Sequence, residues 1–190
     1  MAALQLEGHV VLAPDWDSGA ADRGAGVLTA SLDQAVALTG GRREVPLVVV
    51  GWSLGGKTAL SLALDPGRAS CVSAIVGLAA GTRGPSPVDG SEPLARVRQG
   101  VDHGPPPIYL VHGRRDTVVP AEDAEEFTLA CRGVGVPCSL ALVDTDHAGI
   151  VGTRYDSAVR RCVPDDARAA TIGMAAAIGA VRRAVADARS

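Results

Sequence analysis

The chain has 190 residues, of which 47% are hydrophobic and 21% charged, with a formal net charge of −3 and a pI near 5.8. That length suits one domain with a sizeable core, and the acidic balance argues against a nucleic-acid partner, whose phosphates need a basic face. Aromatic residues are only 3%, so the core must be built from Val, Leu, Ile and Ala.

The N-terminus, Met1-Ala2-Ala3-Leu4-Gln5-Leu6-Glu7, lacks the basic residues and long apolar stretch of a signal peptide, which implies a cytoplasmic location. No uninterrupted apolar run reaches the roughly 18 residues of a membrane span. Val10-Val11-Leu12-Ala13 is a short apolar run that stops at Pro14 and reads as a first strand. Leu28, Leu32, Ala35 and Val36 recur at helical spacing, so a helix is expected over 27–39, ended by Gly40-Gly41. Pro46-Leu47-Val48-Val49-Val50 is apolar on both faces, as a central parallel strand is. It leads straight into Gly51-Trp52-Ser53-Leu54-Gly55-Gly56-Lys57-Thr58. Residues 58–64 then read as a helix closed by Asp65-Pro66-Gly67, and 72–78 as the next strand.

Residues 81–107 are rich in Gly, Pro and Ser, with little periodic apolar content apart from Leu94 and Val97. They read as the longest irregular stretch, and such stretches in compact domains are often functional. Ile108-Tyr109-Leu110-Val111 is a further buried strand. Residues 121–131 read as a helix with Glu122, Asp123, Glu125 and Glu126 near its positive end. Residues 139–143 form the last strand. A final helix is expected from about Pro164 to Ala188, with Met174, Ile178, Val181 and Val185 on one face. No repeat or linker divides the chain, so 1–190 reads as one domain. None of the four cysteines, Cys71, Cys131, Cys138 and Cys162, is in a C-x-x-C pair, and their spacings do not suit zinc. They read as buried free thiols, with a disulfide among Cys131, Cys138 and Cys162 as the alternative.

Strands alternating with helices imply a parallel sheet covered on both faces, with active sites at the carboxyl ends of its strands. Those ends carry Pro14-Asp15-Trp16-Asp17, Ser53, His112-Gly113-Arg114-Arg115-Asp116-Thr117-Val118-Val119-Pro120, and Asp144-Thr145-Asp146-His147-Ala148-Gly149. The segment 51–58 fits two motifs. Gly51-Trp52-Ser53-Leu54-Gly55 is a G-x-S-x-G nucleophile elbow, and Gly51-x-x-x-x-Gly56-Lys57-Thr58 is a P-loop. A serine hydroxyl needs a general base to attack at neutral pH, and an imidazole suits that role. The imidazole in turn needs a carboxylate to fix its tautomer. Ser53, Asp116 and His147 meet these needs in the order Ser, Asp, His. Asp144 and Asp146 are rival acids, but direct neighbours of a histidine rarely reach its far nitrogen.

The chain resembles the α/β-hydrolase superfamily, from that family's fourth strand to its last helix. The resemblance is carried by Gly8-His9-Val10-Val11-Leu12-Ala13-Pro14-Asp15, Gly51-Trp52-Ser53-Leu54-Gly55-Gly56, His112-Gly113-x-x-Asp116-x-x-Val119-Pro120 and Asp146-His147-Ala148-Gly149. It looks like the small esterases and dienelactone-hydrolase-like enzymes among them. The resemblance implies a three-layer, doubly wound, mostly parallel sheet lacking its N-terminal strands. It implies Ser53 as nucleophile, Asp116 as acid, His147 as base and the Leu54 N–H as an oxyanion-hole donor. It also implies a small-molecule ester substrate cleaved through an acyl-enzyme, with no metal or organic cofactor. Residues 81–107 occupy the place of the family's lid. Trp16 and Trp52 are candidates for lining the substrate pocket, with core packing as the alternative.

One departure from the family is expected to matter. Its third strand lies between the fourth and fifth, and the loop after it supplies the second oxyanion donor. Here that strand has no counterpart, which would expose edges or force direct pairing. A catalytically impaired fragment or binding module is therefore the second reading, and a P-loop nucleotide binder the third. In the P-loop reading Lys57 and Thr58 would grip phosphate and magnesium, and Asp144 would end an acidic metal strand. That reading leaves His147 and the segment around Asp116 without a role.

Overall fold

In the computed structural model, residues 5, 7–39 and 45–189 are described. A four-stranded sheet holds β1 (Val48–Trp52), β2 (Ala74–Leu78), β3 (Ile108–Gly113) and β4 (Cys138–Val143), ordered β1-β2-β3-β4. All three pairings are parallel, with Trp52 opposite Leu78, Leu78 opposite Val111 and Gly113 opposite Val143. The register brings the carboxyl ends of all four strands to one edge. The helices are α1 (Ala25–Leu38), α2 (Leu54–Leu64), α3 (Pro66–Ala69), α4 (Pro93–Gln99), α5 (Ala121–Gly133) and α6 (Arg168–Asp187).

β2 and β3 are buried along their whole length, as their Val-, Ile- and Leu-rich runs require. On one face Leu60 of α2, Leu94 of α4 and Phe127 of α5 pack with Ile75 and Ile108. On the other, Ala177, Ala180 and Ala184 of α6 pack with Val76, Tyr109 and Val111. Each fully buried Leu, Ile or Phe contributes about 1.5–3 kcal/mol. By length and composition α6 would suffice to cross a membrane, but its small residues are buried against the sheet. The buried stripe is Ala170, Gly173, Ala177, Ala180, Val181 and Ala184; of the larger side chains expected there, Val181 is buried and Val185 packs partly against the same cluster. The small residues allow close approach: a Cβ on Gly173 would lie 2.2 Å from the Gly149 carbonyl oxygen. α6 thereby braces the 3₁₀ turn Gly149–Val151, just after His147.

Several expectations need correction. Residues 10–13 form no strand; Val10 is 86% exposed. β1 is not central. Among the described residues it pairs only with β2, and Val50 is exposed. Among the described residues no strand stands beside residues 10–13 or on the open side of β1, so the first has no ladder to join and the second is an edge. The stretch 81–107 is not irregular throughout, because Leu94 and Val97 anchor α4 and are fully buried. α6 begins at Arg168, since Pro164 ends a strand. That strand, β6 (Arg161–Pro164), pairs antiparallel with β5 (Thr153–Asp156) in a hairpin the sequence did not suggest. All four cysteines are free; only Cys131 is fully buried, and Cys71 is exposed. The expected helix end at Gly40-Gly41 and the start of the chain lie outside the described residues.

Candidate active site

The site is built at the carboxyl edge of the sheet. β1 passes through Gly51 and Trp52 and turns at Ser53 into α2. The turn forces Ser53 to φ 55°, ψ −116°, a backbone state that costs a non-glycine residue on the order of 1–3 kcal/mol. Surrounding bonds hold it there. Ser53 N–H donates to the Leu78 carbonyl at 2.9 Å, and its own carbonyl accepts from Lys57 N–H (3.1 Å) and Gly81 N–H (3.3 Å). The Ser53 hydroxyl does not cap the helix. Leu54 opens α2, so its N–H is among the four a helix leaves without an internal partner.

Two glycines make this turn possible. A Cβ on Gly51 would sit 2.2 Å from the Gly55 carbonyl oxygen, and one on Gly56 would sit 2.6 Å from the Ala80 Cβ. Gly55, the second glycine of the G-x-S-x-G motif, would meet only Trp16 at an ordinary 3.5 Å.

β3 delivers the carboxylate. After Gly113 the chain turns so that Asp116 Oδ1 accepts from Val118 N–H and Val119 N–H, both at 2.9 Å. Asp116 Oδ2 accepts from His147 Nδ1–H at 2.7 Å. The Asp116 side chain is wholly inaccessible and that of His147 is 12% exposed. His112, buried on β3, donates Nε2–H to the Val119 carbonyl at 2.9 Å and lies 3.2 Å from Asp116 Oδ2. It thus belongs to the turn that positions Asp116. The rival acids are engaged elsewhere. Asp144 is exposed and paired with Arg115 at 2.9 Å, and Asp146 accepts from Gly149 N–H at 2.7 Å.

Asp116 and His147 are therefore joined directly. Ser53 is linked to them through its neighbour: Trp52 Nε1–H donates to the His147 carbonyl at 3.0 Å, and the two rings lie 5.3 Å apart. No hydrogen bond joins Ser53 to His147 among the described residues. Trp52 is thus a strut between β1 and the histidine loop, a role with no local sequence signal. Trp16 is half-buried, and its indole N–H donates to the Arg23 carbonyl at 2.9 Å. The P-loop reading fares poorly. Thr58 is 4% exposed, and its hydroxyl donates at 3.1 Å to the Leu54 carbonyl inside the helix rather than facing a ligand. Among the described residues no group of His, Cys, Asp and Glu is arranged to hold a metal ion.

Comparison with solved structures puts the architecture in context. An α/β hydrolase enzyme from a Medee basin deep-sea metagenome library superposes with a TM-score of 0.61 at 16% identity, covering 91% of this chain and 67% of that one. The fold is α/β-hydrolase-like. A Klebsiella pneumoniae subsp. pneumoniae protein assigned as a dienelactone hydrolase superposes with a TM-score of 0.57 at 18% identity, covering 84% of this chain and 62% of that one. A thermophilic esterase from Thermogutta terrifontis gives 0.60 at 16% identity, covering 87% and 64%. The chain thus spans about two thirds of the length of these α/β-hydrolase-like structures. No protein-family model and no curated protein matches the sequence.

Proposed function

We propose that the chain is a serine hydrolase that cleaves a carboxylic ester through an acyl-enzyme. Ser53 is the nucleophile, His147 the general base and Asp116 the residue that orients it. The observation that carries this reading is the 2.7 Å bond from His147 Nδ1 to a carboxylate with no solvent exposure, beside a serine held at φ 55°. The Asp116 carboxylate fixes the His147 tautomer, leaving Nε2 without a proton and free to take one from the Ser53 hydroxyl. Attack on the ester carbonyl forms a tetrahedral oxyanion, to which Leu54 N–H at the positive end of α2 donates. Collapse expels the alcohol, protonated by His147, and water activated by the same imidazole releases the acid. The neighbours named esterases and hydrolases support the same reading.

A catalytically impaired module is the second reading. It is favoured by the open side of β1, which pairs only with β2 among the described residues, since loss of one oxyanion donor costs on the order of 10²–10³ in rate. A fluorophosphonate probe separates the two. The proposal expects labelling of the wild type and none of Ser53→Ala; a folded wild type that takes no label would sink it.

A further inference from the structure

Two of the free cysteines flank the joint between α5 and β4. Cys131, in the last turn of α5, is inaccessible to solvent and belongs to the core cluster beneath that helix. Cys138, the first residue of β4, is half-buried and packs against the same cluster. The turn between them is built on Cys131 itself. Its carbonyl accepts from Val134 N–H at 3.2 Å and from Val136 N–H at 2.9 Å, and Gly135 takes the left-handed conformation, φ 76°, that the reversal needs. Two residues after Val136 the chain enters β4, where Cys138 stands opposite Ile108. There the Cys138 thiol donates to Thr128 Oγ1 at 3.8 Å. Thr128 lies three residues before Cys131 on the same buried face of α5. Helical side chains lean toward the N-terminus, so the Cys131 sulfur projects over the turn that carries Thr128. Helix and strand thus bring their sulfurs to one place. The other two cysteines lie elsewhere: Cys71 is exposed after α3, and Cys162 sits opposite Tyr155 in the β5–β6 hairpin.

The two thiols are unequal. Cys131 is sealed in the core, and its hydrogen bond to Cys138, together with burial, holds it protonated well above the usual thiol range. The same bond holds Cys138 below its ordinary value. Cys138 also keeps a solvent-facing side. A thiolate, not a thiol, attacks a disulfide, and access decides which thiolate does so. Cys138 therefore has the character of an attacking cysteine and Cys131 that of the one that resolves.

We infer that Cys131 and Cys138 form a reversible dithiol–disulfide site that clips α5 to β4 when oxidised. The oxidant is a small disulfide, and oxidised glutathione is the probe. The Cys138 thiolate attacks one glutathione sulfur, the glutathione S–S bond breaks, and the first glutathione leaves as a thiolate with the electron pair. Cys131 then gives its proton to that thiolate and attacks the Cys138 sulfur. A Cys131–Cys138 bond forms and the second glutathione departs, taking a proton from solvent that replaces the one Cys138 gave up. The protein loses two electrons and two protons, and glutathione gains them. β4 pairs only with β3 among the described residues, so the clip braces an edge strand at the end remote from His147.

The test is peptide mapping of the folded chain after equilibration with oxidised glutathione, repeated with Cys71→Ser and Cys162→Ser in place. A Cys131–Cys138 disulfide is expected in both, reopened by dithiothreitol. The oxidised form should melt about 5 °C higher than the reduced one, the size expected for closing a short loop in a domain this long. In Cys131→Ala, Cys138 should retain glutathione as a mixed disulfide; in Cys138→Ala, Cys131 should remain a free thiol. Two free thiols in the folded chain under excess oxidised glutathione overturn the site, and an oxidised form that melts no higher overturns the clip. Glutathione on Cys131 in Cys138→Ala overturns the order of attack. Mapping of the unsubstituted chain decides the matter even if Cys131→Ala does not fold. No turnover is measured, so the outcome is separate from the reading of Ser53.

Discussion

Asp116 and His147 stand at the ends of neighbouring strands β3 and β4, while Ser53 stands at the end of β1; β1 and β4 are the edges of the sheet among the described residues. The first pair is over-determined. Asp116 takes two backbone N–H bonds, the His147 bond and a contact from His112, all on elements paired or packed within the chain. Ser53 is held just as firmly on its inner side, by Leu78, Lys57 and Gly81. Beyond that turn, Trp16 lies against Gly55, and β1 itself pairs only with β2 among the described residues. The difference teaches that the proposed acid and base are joined directly by turns at neighbouring strand ends, whereas the proposed nucleophile is linked to them through Trp52.

The sharpest way to break this comparison is at the acid–base half. Asp116→Asn keeps the two backbone bonds but can no longer fix the imidazole tautomer. If the proposed mechanism holds, kcat should fall by about 10³–10⁴ with little change in KM. A loss under tenfold in steady-state assays would remove Asp116 from the mechanism.

The inner packing of the nucleophile half comes next. Gly56→Ala drives a Cβ to within 2.9 Å of the Ala80 Cα, which is buried and cannot retreat. It should cost about 1–3 kcal/mol of stability in urea titrations. Gly55→Ala, which meets only ordinary contact, should stay within about 0.5 kcal/mol. Equal losses would show that the motif glycine, not the packed one, governs the turn.

Tyr109 on β3 offers a control remote from both halves. Its hydroxyl donates to Asp187 Oδ2 at 2.6 Å, and burial, with that carboxylate, pushes the phenol up to about 12 from 10.0. Because the folded value is raised, its contribution is complete below pH 10 and is lost as pH rises from 10 to about 12. Tyr109→Phe should cost about 1 kcal/mol near neutrality and flatten the stability profile across that alkaline window, while leaving the response of the site to Asp116→Asn unchanged.

The smallest effect tests the open side itself. Val50 is 43% exposed on β1, and the strand carries no charge to discourage edge pairing. Val50→Lys should change stability by less than about 0.5 kcal/mol yet reduce any self-association seen by light scattering at high concentration. Association that is unaffected would show that the β1 edge is not what meets a partner.

The sequence determined much of this protein by itself. Runs of Val, Ile and Leu marked β1 to β4, because a strand buried on both faces needs continuous apolar residues. The short turns after them marked Ser53, Asp116 and His147, because their spacing is a local backbone property. Tertiary structure decided the rest. Residues 10–13 have a strand's composition but no ladder to join, and Pro46–Val50 has a central strand's composition but sits at the margin. Leu94 and Val97 became α4 only because α2 and α5 offered a surface to bury them. Gly51 and Gly56, rather than Gly55, are the tight glycines of the turn. Gly56 is tight because it meets Ala80, a distance across the fold that no window of neighbouring residues contains. Local pattern encodes what an element can be; the partner across the gap decides whether it forms and which side chain it presents.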